Sequence, residues 1–532
     1  MLNRRSFLFG AATGATCASG GFIAADINFF DAIEGSSRAP ATQAGPLSAV
    51  LQERTLGNGL LRSVKSPGTV VVDFASGLWA ASGGSLPLTQ GYNGYDSSGV
   101  LTGIASRTGM PEMLLWAPVT NSVEEITLGS AGAAASKLRN TALGGQFVLA
   151  VYVANLPGYE AGGAGPNPTI GVSMTTDAGG ATGNGLYVGF SSAQVREGWN
   201  FLKFAMRNPN AYKSGSGEAE YHPFGVNATG GGTGLASDIV NTAITTVKID
   251  VRNCNGASLY FDSIWTGFDA DAQVVLGADD ADGADLVNLA LPLFQARGWV
   301  GYVAVHGRYW NGTGNRVNAD LTDALTNVLP CYAAGWDAVN HSMNHRAMSG
   351  YTAAQVAYEV QSLRGLLASR GLVRGGEFYA SPLSSTSRVS EKVIKDLGFV
   401  AQRHARKLNI SVTPWGVDNL HYLGGTNIGS ATSGGVSATA SGVNSSISGF
   451  QTFSKIKRMI DVIEAYKDTW MPFWHGITQA GDSGSGEDVT GDDLLISYSA
   501  FQKTLDYIAE REAAGGLKVR DGLTGWYYGV GR

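Results

Sequence analysis

Two patterns of hydrophobic and polar positions divide the chain. In the first, short β-prone runs alternate with Gly/Asn/Ser turn clusters, and Val247, Ile249 and Val251 alternate with polar residues as a strand with one buried face requires. Similar runs lie at 70–74, 146–153, 185–190, 200–204 and 259–265. Many short strands between Gly-rich loops predict an all-β sandwich over 69–268.

The second pattern begins after Asp269 and alternates buried strands with amphipathic helices. Predicted strands lie at 273–278, 299–305, 336–340, 377–380, 399–402 and 470–474, and predicted helices at 286–297, 387–397, 453–466 and 500–513. A capping box at Thr352 and Gln355 opens a further helix. This order predicts an α/β domain over 270–532, a (β/α) barrel with its chemistry where strands enter their following loops. The Gly/Ser-rich stretch 424–449 is predicted to be a surface insertion.

The N-terminus has the features of an export leader. Arg4-Arg5 precedes Phe7-Leu8 and a soft apolar stretch over 10–25, which resembles a twin-arginine signal, with a Sec signal or a merely basic terminus as alternatives. We therefore predict an export signal at 1–28, a linker at 29–68, and a periplasmic or extracellular location. No later run of 18 apolar residues predicts a stable membrane span.

Composition narrows the function classes. The chain has 532 residues, so at least two domains are expected. Its 37 basic and 43 acidic residues give a net charge of −6 without any basic run, which argues against nucleic acid as a partner. A hydrophobic content of 44% argues against disorder. Beyond the leader, Cys254 and Cys331 fall in different predicted domains and are expected to be buried free thiols.

Candidate chemistry lies directly after three predicted strands of the second domain. His341 and His345 form an i, i+4 pair that can direct two imidazoles at one metal ion. Asp279 and Asp280 end another strand, and His475 follows a third. Each feature alone has an ordinary explanation as surface, turn or core. Together, at one edge of one parallel sheet, they predict a shared site.

These segments resemble the motifs of the NodB-type polysaccharide deacetylases, the catalytic domain of carbohydrate esterase family 4. Segment 275–280 is similar to the first motif, an apolar strand ending in Asp-Asp, and 340–345 matches the second, His-Ser/Thr-x-x-His with its preceding Asn. Segment 474–475 is similar to the final motif, and the resemblance covers about 272–525. It implies a deformed NodB-type barrel that holds a divalent metal, with Zn²⁺ expected first. The implied ligands are Asp280, His341 and His345, the implied general base is Asp279, and the implied general acid is His475.

The chain departs from the family in the third motif, Arg-x-Pro-Tyr, of which only Pro382 survives. The missing Arg normally holds the catalytic base, and the backbone of the missing Tyr helps to bind the oxyanion. Arg403 or His404, on the next predicted strand, could supply a substitute cation. In the loosely matched fourth motif, Trp415 could form an aromatic wall and Asp418 could orient His475, although a Trp in a Pro-Trp-Gly turn is more often plain packing.

The resemblance predicts a metal-dependent hydrolase that removes N- or O-linked acetyl groups from an extracellular or cell-wall polysaccharide. Because most of the third motif is missing, the alternative is a non-catalytic surface protein that binds glycans. Hydrolysis of a non-sugar amide is a third possibility. In the first domain, Gly198 to Asn200 and the strand at 261–265 are similar to carbohydrate-binding jelly rolls. The aromatic residues there could contact sugar rings or could simply form the core.

Overall fold

The structure is a computed structural model of the whole chain. It describes residues 64–66, 68–74, 79–82, 88–92, 95–96, 103–128, 146–156, 168–175, 185–191, 195–205, 226–229, 246–266, 269–280, 283–307, 309–310, 316–317, 322–405, 412–413, 416–417, 420–429, 451–490 and 494–529. The predicted leader lies outside these residues. Of the predicted linker, the described part includes the strand Val64–Ser66, which pairs with Asp269–Ala270.

The elements are numbered in chain order. The first half contains β1 Val64–Ser66, β2 Thr69–Asp73, β3 Trp79–Ser82, β4 Leu88–Tyr92, β5 Tyr95–Asp96, β6 Glu112–Trp116, β7 Glu124–Leu128, β8 Gln146–Ala154, β9 Thr169–Thr175, β10 Gly185–Ser191, β11 Gly198–Ala205, β12 Val226–Thr229, β13 Thr246–Arg252, β14 Ser258–Thr266 and β15 Asp269–Ala270.

The second half mixes strands and helices. Its strands are β16 Gln273–Val274, β17 Gly277–Asp280, β18 Tyr302–Val305, β19 Tyr309–Trp310, β20 Arg316–Val317, β21 Asp337–Asn340, β22 Phe378–Ala380, β23 Ala401–His404, β24 Val412–Thr413, β25 Gly416–Val417, β26 Leu423–Gly424, β27 Thr426–Asn427, β28 Thr469–Trp470, β29 Pro472–Trp474, β30 Gly476–Thr478, β31 Leu495–Ser497 and β32 Lys518–Val519. Its α-helices are α1 Leu291–Arg297, α2 Thr322–Ala333, α3 Ala353–Ser369, α4 Arg388–Asp396, α5 Phe453–Tyr466, α6 Tyr498–Ala513 and α7 Gly522–Tyr528.

The first half is built from antiparallel sheets. One sheet has the order β12-β10-β9-β13-β7-β3, and the other has the order β11-β8-β14-β6-β4-β5 with β2 also paired to β14. Val247, Ile249 and Val251 are buried, as their alternation predicts, and they share an apolar cluster with Phe147 and Phe261 of the second sheet. The predicted strands are therefore present, whereas their arrangement as a jelly-roll-like sandwich stays a prediction.

The second half contains a nearly closed barrel of eight parallel strands. The sheet order is β26-β23-β22-β21-β18-β17-β29-β27, and every pair within it is parallel. Its two end strands, β26 and β27, are separated in the chain by Gly425 alone, so the sheet returns to its starting point. The predicted α/β barrel is confirmed. The prediction that 424–449 is an insertion was wrong at its start, because backbone pairing on both sides makes 423–427 part of the barrel wall.

Alternation along the strands separates the barrel interior from the layer beneath the helices. Val275, Tyr302 and Ala304 share an interior cluster with apolar residues of four other strands and of α7, while Ala278 and Val303 join the cluster that contains residues of α1 and α6. Gly277 is required inside, since a Cβ there would lie 2.2 Å from the Tyr302 ring. Because side chains alternate with period two, the next interior positions fall at the carboxyl ends of the strands.

Two helices, α3 and α4, begin at the residues where the sequence predicts a helix start, whereas α2 and α7 were not predicted. Thr352 caps α3 by accepting a hydrogen bond from the Gln355 N–H, and Gln355 completes the predicted capping box. Ser387 caps α4 in the same way. Cys254 and Cys331 are buried free thiols, as expected. Within the described chain, no helix is both long enough and apolar enough to cross a bilayer.

The two halves are joined by charged contacts, one of them fully buried. Lys203 Nζ on β11 lies 2.6 Å from Asp468 Oδ1 in front of β28, and neither side chain is exposed to solvent. The guanidinium of Arg196 lies 3.4 Å from the centroid of the Tyr422 ring, just before β26. Arg388, the first residue of α4, forms an ion pair with Glu197. Strand β11 and the residues just before it therefore contact the second half of the chain.

Candidate metal centre and active site

Polar side chains gather at the carboxyl ends of the barrel strands. Asp279 and Asp280 end β17, Arg403 lies in β23, and His341 and His475 directly follow β21 and β29. These strands point the same way in one sheet, so their carboxyl ends meet at one edge of the barrel. The sequence pattern thus delivers all five side chains to the same edge.

Asp280, His341 and His345 converge on one point. Asp280 Oδ1 lies 3.1 Å from His345 Nε2 and 3.4 Å from His341 Nε2. The potential ligand atoms of all three residues lie within 4.8 Å of one another. Both histidines are buried, with 2% and 4% of their surface exposed, so water does not solvate the cluster freely. The spatial arrangement required for a shared cation is therefore present.

The tautomer of His341 indicates what belongs between these atoms. His341 Nδ1 lies 2.7 Å from the Ala380 carbonyl oxygen, which can only accept a hydrogen bond. The proton of a neutral ring must then be on Nδ1, so the lone pair on Nε2 faces the Asp280 carboxylate. Two electron-rich atoms at 3.4 Å repel unless a cation or a proton lies between them. Two imidazoles and one carboxylate form a donor set that suits Zn²⁺, so the residues present fit the implied metal.

Electrostatics within the cluster agree with this assignment. Burial alone would raise the pKa of Asp280, but the facing imidazoles of His341 and His345 lower it well below its usual value. Burial likewise opposes protonation of His341, yet Asp280 and Asp279 together raise the pKa of that imidazole. The pocket is therefore poised to hold positive charge next to a carboxylate that stays ionised.

The loop that carries the two histidines is fixed by hydrogen bonds to β21 and α3. The Asn340 carboxamide oxygen accepts from the Ser342 N–H at 3.0 Å, and the Ser342 hydroxyl accepts from the His345 N–H at 3.0 Å. Asn344 donates to both carboxylate oxygens of the buried Glu359 on α3. This network gives His341 and His345 a defined orientation before any ligand binds.

Backbone strain is concentrated at the same edge. Among the described residues, eight non-glycine residues have positive φ, and five of them lie at the carboxyl ends of barrel strands: Asp280 at 69°, Ser342 at 64°, His345 at 47°, Leu383 at 53° and Ser384 at 52°. Such conformations cost free energy, and they persist at functional sites where the surrounding structure enforces them.

Arg403, one of the two cations that the sequence offers beside Asp279, pairs with that carboxylate. Its guanidinium forms an ion pair with Asp279, and the two side chains are only 2% and 5% exposed. The guanidinium also lies 4.1 Å from the centroid of the Phe473 ring. Gly425 makes room for it, since a Cβ there would lie 2.6 Å from Arg403 Cδ. Of the two candidates from the sequence, His404 instead packs on the Tyr422 ring, with centroids 4.7 Å apart.

The remaining predicted site residues differ in how far the structure defines them. His475 is partly buried, its ring lies 5.6 Å from that of Phe473, and its Nδ1 has no hydrogen-bond partner among the described residues. Pro382 is buried and opens the short 3₁₀ turn Pro382–Ser384 after β22. Trp415 and Asp418 lie outside the described residues, so their predicted roles stay predictions.

Sequence reasoning missed His306, which directly follows β18. Its Nε2 lies 3.8 Å from Asp280 Oδ1, and its ring centroid lies 5.1 Å from that of His345. The residue is 2% exposed. The signal was available, because His306 follows an apolar strand in the same way that His475 does.

No protein-family model and no curated protein matches this chain. Among solved structures, it is similar to a family 4 carbohydrate esterase from Streptomyces lividans in complex with acetate, with 13% identity, 47% of this chain and 91% of that chain covered, and a TM-score of 0.28. It is also similar to a family 4 acetyl xylan esterase from Clostridium thermocellum in complex with a cobalt ion. The sequence identity is 13%, the match covers 48% of this chain and 90% of that chain, and the TM-score is 0.28. A third similar structure is a family 4 pseudoenzyme from Bacillus anthracis. Its identity is 10%, the match covers 48% of this chain and 66% of that chain, and the TM-score is 0.30.

Proposed function

We propose that this chain is a metal-dependent deacetylase of the NodB type, acting on an acetylated polysaccharide outside the cytoplasm. One observation carries the proposal. The Asp280, His341 and His345 cluster lies next to a second carboxylate, Asp279, which is held by a buried arginine. A metal-binding group beside a separately fixed base is the arrangement that hydrolysis of an acetyl group requires.

Asp280, His341 and His345 would hold the divalent cation, for which Zn²⁺ is the first candidate. When bound, the ion supplies Lewis acidity, which lowers the pKa of water and polarises the acetyl carbonyl. Three protein ligands leave an open position on a tetrahedral ion. The Nδ1–H contact of His341 with Ala380 keeps the Nε2 lone pair directed at the place between the three residues where the cation would bind.

Asp279 is the proposed general base. Asp280 binds the cation, so its neighbour remains available to accept the proton of the attacking water. Arg403 compensates the charge of the buried Asp279 carboxylate and fixes its orientation, because a guanidinium presents its donors in a rigid plane. Arg403 lies on β23, across the barrel from the strand β17 that carries Asp279, and would supply the charge that the missing third-motif arginine supplies in the family.

His475 is the proposed general acid. It follows β29, which pairs with β17 on the side away from β18, so the base and the acid reach the pocket from adjacent strands. Protonated His475 would donate to the departing amine or alkoxide. Its unpartnered Nδ1 is consistent with a ring that completes its hydrogen bonding when substrate or Asp418 approaches. Backbone N–H groups near the strained Leu383 would help to stabilise the oxyanion.

The polymeric substrate and the location rest on the sequence. The leader-like segment 1–28 suits export, and the first domain could bind carbohydrate through its aromatic residues. The acetyl group is N- or O-linked. The alternative is a glycan-binding protein that has lost catalysis, and the replacement of the third-motif Tyr by Leu383 favours it.

A single set of assays separates the two. Mature protein loaded with Zn²⁺ should release acetate from at least one member of a panel of N- and O-acetylated polysaccharides, and a chelator should abolish the release. Asp279→Asn should remove activity while it leaves about one bound metal per chain. Glycan binding without acetate release, unchanged by the chelator, would support the non-catalytic alternative instead.

A further inference from the structure

We propose that His306 is a fourth protein ligand of the metal at the Asp280, His341 and His345 cluster. The inference rests on the metal site of the proposed function and adds a residue that the resemblance does not supply.

The first argument is the position of His306 in the barrel. Tyr302 and Ala304 belong to the interior cluster, so the period of two along β18 directs His306 into the barrel as well. β18 lies between β17, which carries Asp280, and β21, which precedes His341. His306 therefore occupies the strand end between two of the ligands already assigned.

The second argument is distance. The ligand atoms of a tetrahedral zinc site lie about 2.0–2.2 Å from the ion and hence roughly 3.3–3.6 Å from one another. Asp280 Oδ1 lies 3.1, 3.4 and 3.8 Å from the Nε2 atoms of His345, His341 and His306. Three imidazoles thus face one carboxylate oxygen at separations that bracket this value.

The third argument is the similarity of the ring arrangement. The centroids of His306 and His345 are 5.1 Å apart with an interplanar angle of 44°, and those of His341 and His345 are 4.8 Å apart at 55°. His306 is as buried as His341. The ring centroids of His306 and His341 thus lie at similar distances from that of His345. Among the described residues, however, the ligand atoms that lie within 4.8 Å of one another belong to Asp280, His341 and His345 only, so His306 would move slightly toward the ion when it binds.

A fourth ligand changes what the site does. Three protein ligands leave one position of a tetrahedral ion open, whereas four ligands fill it and bind the ion more tightly. One oxygen of water or substrate could then bind only if the ion became five-coordinate. We therefore expect tight metal retention.

The experiment measures the metal shell of the full-length protein directly. X-ray absorption of the Zn²⁺-loaded protein should count three imidazoles in the wild type and two in His306→Ala. Competition with a chromophoric chelator should show that His306→Ala weakens Zn²⁺ binding about 100-fold or more, at or above the 10–100-fold typical of residues that only orient ligands. The visible Co²⁺ spectrum should change with the loss of a nitrogen ligand.

His421→Gln is the matched control, because it removes another partly buried imidazole of the same barrel. It should leave the Zn²⁺ affinity within about twofold and the Co²⁺ spectrum unchanged. The wild-type ligand count needs no variant, so it decides the question even if His306→Ala fails to fold. Two imidazoles in the wild type, or an unchanged Co²⁺ spectrum in a folded His306→Ala, would overturn the proposal. Three imidazoles without acetate release would uphold this inference while the proposed function fails.

Discussion

Arg403 on β23 and Asp279 at the end of β17 form a buried ion pair across the barrel. In sheet order the two strands are separated by three strands on one side, so the pair joins opposite walls. A family resemblance places the arginine elsewhere, just after β22. In this chain the guanidinium that pairs with Asp279 comes from the neighbouring strand β23, so the proposed base has a buried cationic partner although the sequence motif is absent.

Replacing Arg403 should separate catalysis from metal binding. Arg403→Leu leaves the buried Asp279 carboxylate without its partner, so we expect kcat for acetate release to fall by about 10²-fold or more. The free energy of unfolding should fall by about 3–5 kcal/mol, because one half of a buried pair is stranded. Steady-state kinetics and urea unfolding measure the two effects.

The control for this prediction is Arg297→Leu, which breaks a partly exposed ion pair with Asp506. It should cost no more than about 1 kcal/mol and leave kcat unchanged. Metal content should stay near one ion per chain in both variants, since neither residue is a proposed ligand. A fully active Arg403→Leu would remove the assigned role of Arg403.

Removal of a ligand should abolish both metal binding and activity. In His341→Ala, the imidazole that donates to the Ala380 carbonyl and faces Asp280 is lost. We expect substoichiometric metal by elemental analysis and acetate release reduced by at least about 10³-fold. Added Zn²⁺ should restore activity to chelator-treated wild type but not to this variant. Full metal content in His341→Ala would place the ion elsewhere.

Local sequence patterns predicted much of the barrel. The strand before Asp279 and the strand before His341 are apolar runs that end in polar residues. Such runs can be predicted from local sequence without tertiary information. Their meeting at one edge follows from parallel pairing alone. His306 follows the same pattern, because it comes directly after an apolar strand, but only a strand, and no site residue, was predicted there.

Other features depend on contacts that no local pattern encodes. Arg403 reaches Asp279 because Gly425, 22 residues later in the chain, leaves space beside its side chain. The strand at 423–427 sits in a Gly-rich context that resembles a loop, and only pairing with β23 and β29 makes it part of the wall. Local sequence patterns do not predict the contact between the two halves either, because Lys203 lies in the middle of a strand with no unusual pattern.

The Lys203–Asp468 pair should contribute to the stability of the whole chain. Both side chains are fully buried, so Lys203→Met strands the Asp468 carboxylate in an apolar interface. We expect the free energy of unfolding to fall by about 3–5 kcal/mol. Lys203→Met combined with Asp468→Leu should recover most of that loss, because neither charge is then buried.

The matched control is Lys248→Met, which removes a lysine paired with the partly exposed Glu125 on the first antiparallel sheet. Its cost should be below about 1 kcal/mol. Equal stability of Lys203→Met and Lys248→Met in urea unfolding would show that the interface between the halves does not depend on this ion pair.

Glu377 should make stability depend on pH near neutrality. Burial, together with the neighbouring Asp337 carboxylate, raises the pKa of Glu377 to about 7. The folded chain therefore binds a proton that the unfolded chain releases above its ordinary pKa of 4.5. The stability gained from this proton is complete below about pH 4.5 and is lost as the pH rises through 7. Glu377→Gln should abolish this part of the pH dependence. At pH 8 the free energy of unfolding of this variant should exceed that of the wild type by an amount of the order of 1 kcal/mol.

The decisive quantity is the difference in unfolding free energy between wild type and Glu377→Gln, measured by urea titration at several values from pH 4.5 to pH 8. Groups that do not interact with Glu377 cancel in this difference, whereas the neighbouring Asp337, whose pKa burial raises to about 6, also contributes to it. Glu510→Gln, at an exposed position of α6, should follow wild type at every pH. A difference that stays constant over the range would mean that the pKa of the Glu377 carboxyl is the same in the folded and unfolded chains. Its surroundings would then be more polar than its burial beside Asp337 indicates.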